Sequence, residues 1–379
     1  MASVPRRAFL RLAATAAVTG LFPRRAFGEE TVLVGLVRPP DRRALADGAA
    51  LGLEDANALA TMFGRRLQLA AATAADARGA GVAARALARE GVIAVIGGAG
   101  PGQAEALRDV AAAEARLFFN AGAQDDALRG ERCERHSYHL APSVTMCVDA
   151  LAQWLAGPRR LRRWAIVTDG SPRGREIEAA AQRAAGRLGA ALSAGAAATD
   201  ITLIAVDAAS QREAAGRLRA AGVPFAGIGA DAVADFGPEE GAGFWVVGWH
   251  HELERFSARE LNRRFRRRFG VPLDETAWAA RAAMKMIGEG AVRGGAGDAA
   301  GLRAFLGMAP PFDGHKGAAL TFRPWDQQLR QPLYIIGPRR REEVGGARGP
   351  FEVLAQAPRE DLDAIGIGRT ETRCRELTR

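Results

Sequence analysis

Short apolar runs alternate with longer amphipathic stretches along most of this chain. The short runs are typical of strands buried in a parallel sheet, and the longer stretches repeat apolar residues at helical spacing. The predicted strands are Thr31–Val37, Arg66–Ala71, Val92–Ile96, Arg116–Asn120, Arg163–Thr168, Ile201–Val206, Val223–Gly229, Phe244–Trp249 and Leu333–Ile336. The predicted helices are Ala44–Leu59, Ala77–Glu90, Gln103–Ala115, a segment from Ser143 to Leu155, Arg173–Leu188, Gln211–Ala221, Ala258–Phe269 and Glu275–Gly290.

This alternation predicts an α/β fold in which parallel sheets are covered by helices on both faces. The pattern changes over residues 130–138, which are charged and irregular, and a second series of strands and helices follows. Two doubly wound lobes are therefore expected, because the length also exceeds one comfortable hydrophobic core. Residues 346–379 are charged, rich in glycine and weakly patterned, so they are predicted to form an extended tail.

The first 28 residues have the parts of a bacterial export signal. Residues 6–11 match a twin-arginine motif, residues 12–22 are mildly apolar, and residues 26–28 are typical of a cleavage site. The apolar stretch is too short to anchor the chain in a bilayer. We expect a soluble mature protein that begins near Glu29 and reaches the periplasm by the twin-arginine route. A cytosolic chain with a basic first helix is the alternative.

The net charge says little about partners. The formal charge is +9, and removing the five arginines of the predicted leader leaves +4. The chain has only two lysines, and the many arginines accompany a high alanine and glycine content, which is typical of a GC-rich genome. No basic stretch is interleaved with aromatic residues, so nucleic acid is not an expected partner.

The chain has three cysteines, and the expected compartment permits disulfides. Cys147 lies in an apolar, helix-like run and is predicted to be a buried free thiol. Cys133 and Cys374 both lie in polar, loop-like segments. We hypothesise that they form a disulfide that ties the tail to the body.

Candidate site residues lie where the predicted strands end, because ligands of parallel sheets bind outside the carboxyl ends of the strands. Arg38 and Arg173 are the best side chains for an anionic ligand, and the amides of Asn120 and Gln124 can form hydrogen bonds. Because arginine is so common in this chain, Arg38 and Arg173 could instead be ordinary surface residues. The predicted ligand-binding residues are Arg38, Gly98, Gly100, Gly102, Asn120, Gln124, Asp169, Arg173, Asp231 and Trp249.

Two of these predictions have equally plausible structural interpretations. The glycines of residues 97–102 would let backbone N–H groups and a helix start approach an anion, or they could form only a tight turn. A dinucleotide loop is disfavoured, because Gln103 stands where G-x-G-x-x-G needs its third glycine. Trp249 could stack on a flat ligand or belong to the core.

The sequence gives little indication of a catalytic site or a metal site. No G-x-S-x-G sequence is present, and Ser171 lacks the flanking glycines of a nucleophile turn. His136-x-x-His139 and His250-His251-Glu252 are the only histidine clusters, and neither is a known ligand set. We therefore expect a non-enzymatic protein without a catalytic residue, metal or cofactor.

Five arginines crowd residues 263–268 of one helix, Ala258–Phe269, around an apolar stripe. This helix could present a surface to an anion or a partner protein. A solvated helix face over a core stripe is the commoner arrangement.

Several segments resemble the solute-binding proteins of ATP-driven importers, in particular the leucine/isoleucine/valine-binding type. They are Val34-Gly35, residues 47–57, residues 92–97 and Ala165-Ile166-Val167 with Asp169. The resemblance implies a type I periplasmic binding protein, in which two lobes close over a small ligand. It implies lobe 1 from residues 29–140 plus 250–330, and lobe 2 from residues 141–249 plus 331–345. It also implies the importer's membrane subunits as partners, and a monomer.

The C-terminal third resembles a narrower branch, the binding proteins encoded with PQQ-dependent alcohol dehydrogenase systems. The matching blocks are residues 312–317, 320–332 and 361–366, with Cys374. A role linked to periplasmic alcohol oxidation is implied, and a PQQ-dependent dehydrogenase is a candidate partner. The family's Ser/Thr ligand hydroxyls are missing from residues 97–102 and 120–123, while Asp231 falls near an acidic ammonium-binding position. An accessory or scaffold protein of the dehydrogenase and an exported oxidoreductase are the alternatives.

Overall fold

The computed structural model describes residues 30–193, 199–229, 236, 241–340, 343 and 349–377. The predicted leader and Asp231 lie outside the described residues. No helix in the described part is long and apolar enough to cross a bilayer.

The strands form two large sheets, and this confirms the predicted α/β class. One sheet has the order β2-β1-β3-β4-β5 and is entirely parallel. The second has the order β14-β13-β10-β9-β8-β6-β7, in which β13 runs antiparallel to both of its neighbours. The strands are β1 (Glu30–Arg38), β2 (Arg65–Thr73), β3 (Ala94–Gly97), β4 (Leu117–Asn120), β5 (Ser137–His139), β6 (Arg163–Thr168), β7 (Ala191–Ser193), β8 (Ile201–Ala205), β9 (Phe225–Ile228), β10 (Phe244–Val247), β11 (Phe312–Asp313), β12 (Ala319–Leu320), β13 (Leu333–Pro338) and β14 (Phe351–Ala357).

Helices cover both faces of each sheet, as the strand–helix alternation predicts. The helices are α1 (Arg43–Ala60), α2 (Ala77–Arg89), α3 (Gln103–Ala113), α4 (Val144–Ala156), α5 (Pro172–Leu188), α6 (Gln211–Ala220), α7 (Ala258–Phe269), α8 (Glu275–Arg293) and α9 (Ala299–Gly307). Lobe 1 is the five-stranded sheet with α1–α3 and α7–α9, and lobe 2 is the seven-stranded sheet with α4–α6. Side-chain caps fix several helix starts, for example Asp76, which accepts a hydrogen bond from Gly79 N at 2.7 Å.

Close contact between α1 and α8 holds one side of lobe 1 together. A Cβ atom built on Gly48 would lie 2.1 Å from the carbonyl oxygen of Ala277, and one on Gly52 would lie 2.6 Å from that of Arg281. Only glycine permits this approach, because real Cβ atoms do not come so near a backbone. The two glycines lie one helical turn apart and therefore form one contact stripe.

The chain passes between the lobes over residues 140–143, 248–257 and 321–332, and buried polar groups tie these connections together. The ammonium of Lys316 donates to Gly248 O and to Gln331 Oε1, each at 2.5 Å. Gln331 Nε2 in turn donates to Leu140 O at 2.6 Å. Lys316 is fully buried, and burial lowers its pKa to about 7. The three connections are therefore joined at one point.

The prediction of an extended tail is wrong for residues 351–357. They form β14, an edge strand that pairs with β13 along its length. The strand was missed because it is covered mainly on one face, and Leu354 on its exposed face breaks the alternation of apolar and polar residues.

Residues 358–377, here called the C-terminal segment, return from lobe 2 to lobe 1. On lobe 2, Gly366 N donates to Asp149 Oδ2 at 2.8 Å. On lobe 1, Arg135 pairs with Glu376 at 2.9 Å, and a disulfide joins Cys133 to Cys374 with Cα atoms 5.5 Å apart. The structure thus contains the hypothesised disulfide. Cys147 is confirmed as a buried free thiol.

Other local predictions were incomplete. The short strands β5 and β7 and the helix α9 were not predicted. Ser257 does precede α7, but it lies at φ +63° and its side chain makes no cap hydrogen bond. A capping residue normally has an extended backbone, so Ser257 does not cap α7.

Candidate ligand cleft between the lobes

The loops that follow the strands of the two sheets meet each other, so two of the candidate residues, Gln124 and Arg173, lie at an interlobar contact. Gln124 and Asp126 follow β4 in lobe 1, whereas Arg173 and Glu176 lie at the start of α5 in lobe 2. Hydrogen bonds join Arg173 to Gln124 and Asp126 to Glu176. This is the edge at which α/β sheets bind ligands.

The glycine loop after β3 is shaped by its own packing. Gly98 and Gly102 have φ values of +87° and +64°, which favour glycine. A Cβ on Gly98 would lie 2.9 Å from Asn120 Oδ1, and one on Gly100 would lie 2.9 Å from Pro39 Cγ. These contacts explain the three glycines without a ligand. Their approach to a ligand remains a prediction.

Arg38 and Asn120 hold the loops in which they lie. Arg38 donates to the carbonyl oxygens of Pro39 and Pro40, each at 3.0 Å. Asn120 is fully buried, accepts from Ala123 N at 2.9 Å and donates to Ala123 O at 2.8 Å. Asn120 therefore has little capacity left for a ligand, and its observed role is to fold the loop that presents Gln124.

Gln124 bridges the two lobes. Its Oε1 accepts from Arg173 Nη2 at 2.7 Å, and its Nε2 donates to Glu275 Oε1 at 3.4 Å. Glu275 is itself buried and also accepts from Gly248 N, in the second connection between the lobes. A chain of polar contacts therefore runs from α5 of lobe 2 to α8 of lobe 1.

Glu176 makes a second interlobar contact. Its Oε1 accepts from the backbone N of Asp126 at 2.6 Å. Burial, helped by the nearby charges of Asp126 and Asp125, raises the pKa of Glu176 to about 7. The carboxyl group of Glu176 is therefore partly protonated near neutral pH when the lobes are in contact.

Asp169 orders the start of α5 and does not reach across the cleft. Its carboxylate accepts from Ser171 N and from Asp207 N, each at 2.9 Å. A hydrogen bond from the side-chain hydroxyl of Ser171 is the largest cause that lowers the pKa of Asp169. The exposed Asp169 thus links the loops that follow β6 and β8.

Trp249 is a core residue, so its placement among the ligand contacts was wrong. It is 2% exposed, its ring stacks on Trp278 at 5.8 Å between centroids, and its Nε1 donates to Asn262 Oδ1 at 3.0 Å. All of its surface is already used inside lobe 1. The end of a strand indicates which loop faces the cleft, but it does not indicate which way each side chain points.

Gln211 was not predicted, whereas the loop that begins at Gly229 was among the strand-end loops expected to face a ligand. Gln211 begins α6 and is 1% exposed. A Cβ on Gly229 would lie 3.5 Å from Arg173 Nη2, 3.8 Å from Gln211 Oε1 and 3.9 Å from Gln124 Oε1. Three polar side chains therefore converge beside Gly229. Arg173, Gln211 and Gly229 follow β6, β8 and β9, so a position after a strand was the only signal that the sequence offered for Gln211.

A groove of about 410 Å³ also lies between the lobes, against the C-terminal segment. Its wall residues include Asp126, Glu176, Arg183 and Arg373. Arg183 pairs with Asp149 at 2.8 Å and Arg373 with Glu131 at 2.6 Å, so these charges are already partnered. Among the residues that the structure describes, no group of three His, Cys, Asp or Glu side chains is arranged to hold a metal ion.

Comparison with known proteins identifies the architecture. The family model for periplasmic binding proteins matches residues 35–235. A branched-chain amino acid ABC transporter periplasmic ligand-binding protein from Burkholderia xenovorans has a TM-score of 0.79 and 17% identity, over 91% of this chain and 99% of that chain. An amino acid ABC transporter substrate-binding protein from Pseudomonas fluorescens has a TM-score of 0.76 and 15% identity, over 91% and 99%.

LivJ from Streptococcus pneumoniae, solved in complex with isoleucine, has a TM-score of 0.70 and 14% identity, over 86% of this chain and 99% of that chain. At these identities the likeness shows a shared fold. No curated protein sequence matches the chain. Because the family model covers more than half of the sequence, the chain belongs to the periplasmic binding protein family.

Proposed function

We propose that this protein is the periplasmic substrate-binding component of an ABC importer, which captures a small ligand between its lobes without catalysing a reaction. The observation that carries the proposal is the meeting of strand-end loops from both sheets at Gln124 and Arg173. Closure of two lobes over a ligand creates a surface that membrane subunits can recognise. The named structures of the same fold are binding proteins of ABC transporters.

The finer parts of the proposal rest on the sequence. Export by the twin-arginine route rests on residues 1–28, and the link to PQQ-dependent alcohol oxidation rests on the C-terminal blocks. Within those blocks, Lys316, Gln331 and Asp363 make the contacts of the lobe connections and the C-terminal segment. The distinctive C-terminal blocks therefore contribute to the connections between the lobes. The ligand contacts are expected in the strand-end loops.

A thermal-shift screen tests the binding function. The titrants are primary alcohols, the corresponding carboxylates, amino acids, PQQ and metal ions. We expect one chemical class to raise the melting temperature saturably, because a ligand at 100 times its Kd stabilises the folded state by about 2.7 kcal/mol. Each titrant is recovered and analysed after incubation. Chemical conversion of a titrant by the purified protein, or the absence of any saturable shift, would contradict the proposal.

A further inference from the structure

The C-terminal segment passes from lobe 2 to lobe 1 within a few residues. Glu371 lies 3.5 Å from Arg183 of α5 in lobe 2. Two residues later, Arg373 pairs with Glu131 of lobe 1 at 2.6 Å. Two residues of fully extended backbone span only about 7 Å. The segment therefore joins the lobes where they lie close together.

On lobe 2, helix α4 holds the segment. Gly366 N donates to Asp149 Oδ2, and Gln153 Nε2 donates to Ala364 O, each at 2.8 Å. The carboxylate of Asp149 is completely buried and also pairs with Arg183 of α5 at 2.8 Å. The segment is therefore attached to a side chain that is fixed inside lobe 2.

The third connection between the lobes holds the middle of the segment. Arg323 is 1% exposed and pairs with Asp363 at 2.9 Å. Trp325 Nε1 donates to Ile367 O at 3.1 Å, and Thr372 Oγ1 donates to Trp325 O at 3.4 Å. These contacts fold the segment against the connection, so it cannot lengthen unless they break.

On lobe 1, the attachment is covalent. The disulfide between Cys133 and Cys374 closes the end of the segment onto the loop before β5. The pair just described and the pair of Arg135 with Glu376 accompany it. Both pairs are exposed and contribute little, because water and salt screen them. The disulfide is therefore the strong attachment at this end.

The segment lies along the groove of about 410 Å³ between the lobes. The walls of this groove include Glu131 of lobe 1, Ala180 of lobe 2 and Ile367 of the segment. The lobes therefore do not fill this side of the molecule by packing directly on each other, and the segment spans it.

We propose that the C-terminal segment is a strap that limits how far the lobes separate, and that the disulfide fastens it to lobe 1. The proposal rests on the proposed capture of a ligand by lobe movement. Rotation of lobe 2 away from lobe 1 stretches the segment between Asp149 and Cys133, so its contacts with Trp325 must break. The strap therefore keeps the empty protein near its closed arrangement, and binding requires less rearrangement.

Energy transfer between two fluorophores measures the separation of the lobes in the extensively dialysed protein. The fluorophores are attached through unnatural amino acids at Met62 of lobe 1, which is 78% exposed, and at Gln182 of lobe 2, which is also exposed. This attachment leaves the three cysteines unlabelled. No ligand is needed, so the strap and the capture function can fail separately.

Two variants that differ only in the disulfide isolate its effect. The control combines Arg135→Gln with Arg373→Gln and keeps the disulfide. The released variant carries the same two changes with Cys133→Ser and Cys374→Ser. We expect the population of widely separated lobes to rise about twofold or more in the released variant and to stay at the wild-type level in the control.

Reduction of the folded control provides the same comparison without a new protein. Tris(carboxyethyl)phosphine converts the disulfide to two thiols, and the control should then show the distances of the released variant. Circular dichroism checks that each sample is folded. A disulfide that acts only on the unfolded chain would lower the stability and leave the distance between the lobes unchanged.

Each outcome decides a different point. Unchanged distances in both the released variant and the reduced control overturn the strap, and the capture function then depends only on the thermal-shift screen. Wider separation that already appears in the unreduced control overturns the disulfide as the fastening and assigns that role to the two ion pairs.

Discussion

Individual residues at the cleft show how far strand-end positions predict a site. Arg173 and Gln124 were predicted because each follows a strand, and the structure brings them together at 2.7 Å. Their contact could not be predicted, because it depends on how two separately folded lobes meet. Trp249 was wrongly included because its side chain turns toward Trp278, on a helix later in the chain. Gln211 was missed because a neutral amide at a helix start gives no distinctive signal.

Glu176 gives a pH-dependent prediction at this scale. Its pKa is raised to about 7 in the folded protein, above the usual value of 4.5. The folded state therefore binds more protons than the unfolded state between these values, and the contribution of Glu176 to stability falls as the pH rises from about 4.5 to 7. Glu176→Gln keeps an oxygen that can accept from Asp126 N and removes the buried charge.

We expect Glu176→Gln to be more stable than the wild type by on the order of 1–2 kcal/mol at pH 8 and equally stable at pH 4. Denaturant unfolding across this pH range measures the difference. Glu178→Gln, on the same helix, is the control, because the side chain of Glu178 accepts a hydrogen bond from Gln182 of that helix and does not contact the other lobe through a hydrogen bond in the described part of the chain. Parallel pH profiles of the wild type and Glu176→Gln would show that Glu176 does not titrate abnormally.

At the scale of elements, local patterns predicted most of the longer strands and helices but missed the edge strands β5, β7 and β14 and the helix α9. Helices α2 and α4 begin where Asp76 and Ser143 supply caps, so their starts could be placed from the sequence. The strand β14 lies at a sheet edge with a partly exposed face, and its alternation is too weak to distinguish it from a loop. Element type was therefore easiest to predict for long elements, whereas β5 was missed although it is buried, because it has only three residues.

The contact between α1 and α8 provides a test at this scale. Gly48→Ala would place a Cβ atom 2.1 Å from Ala277 O, so the two helices must move apart. We expect a loss of about 2–3 kcal/mol in the free energy of unfolding. Gly186→Ala is the matched control, because a Cβ there meets no atom within 4 Å and alanine favours a helix by up to about 1 kcal/mol. If both substitutions were stabilising in denaturant unfolding, the close approach of α1 and α8 would be refuted.

The whole molecule is two lobes with three chain connections and one covalent cross-link. The sequence pattern alone predicted two lobes. The residues at which the chain passes from one lobe to the other were implied by the family resemblance, because no local sequence signal marks such a connection. The buried contacts of Lys316 with Gly248 and Gln331 were not predicted, since they join residues far apart in sequence. The C-terminal segment adds a further link that the expected tail did not suggest.

The disulfide gives a prediction for the whole molecule. Cys133 and Cys374 are separated by 241 residues, so their bond restricts a long loop of the unfolded chain. Replacing both by serine should lower the stability by about 2–5 kcal/mol. Chemical denaturation with and without a reductant measures this. The reduced wild type should match the double variant, and the double variant should not respond to the reductant. Equal stability of the oxidised and reduced wild type would contradict the expectation.

The same bond determines what a single cut in the backbone can do. Any peptide bond between Cys133 and Cys374 lies inside the loop that the two sulfurs close. Hydrolysis at one such bond yields two polypeptides that remain covalently joined by the disulfide under oxidising conditions. They come apart only when a reductant and a denaturant act together. A nicked protein would therefore migrate as a single band on a non-reducing gel and as two bands on a reducing one.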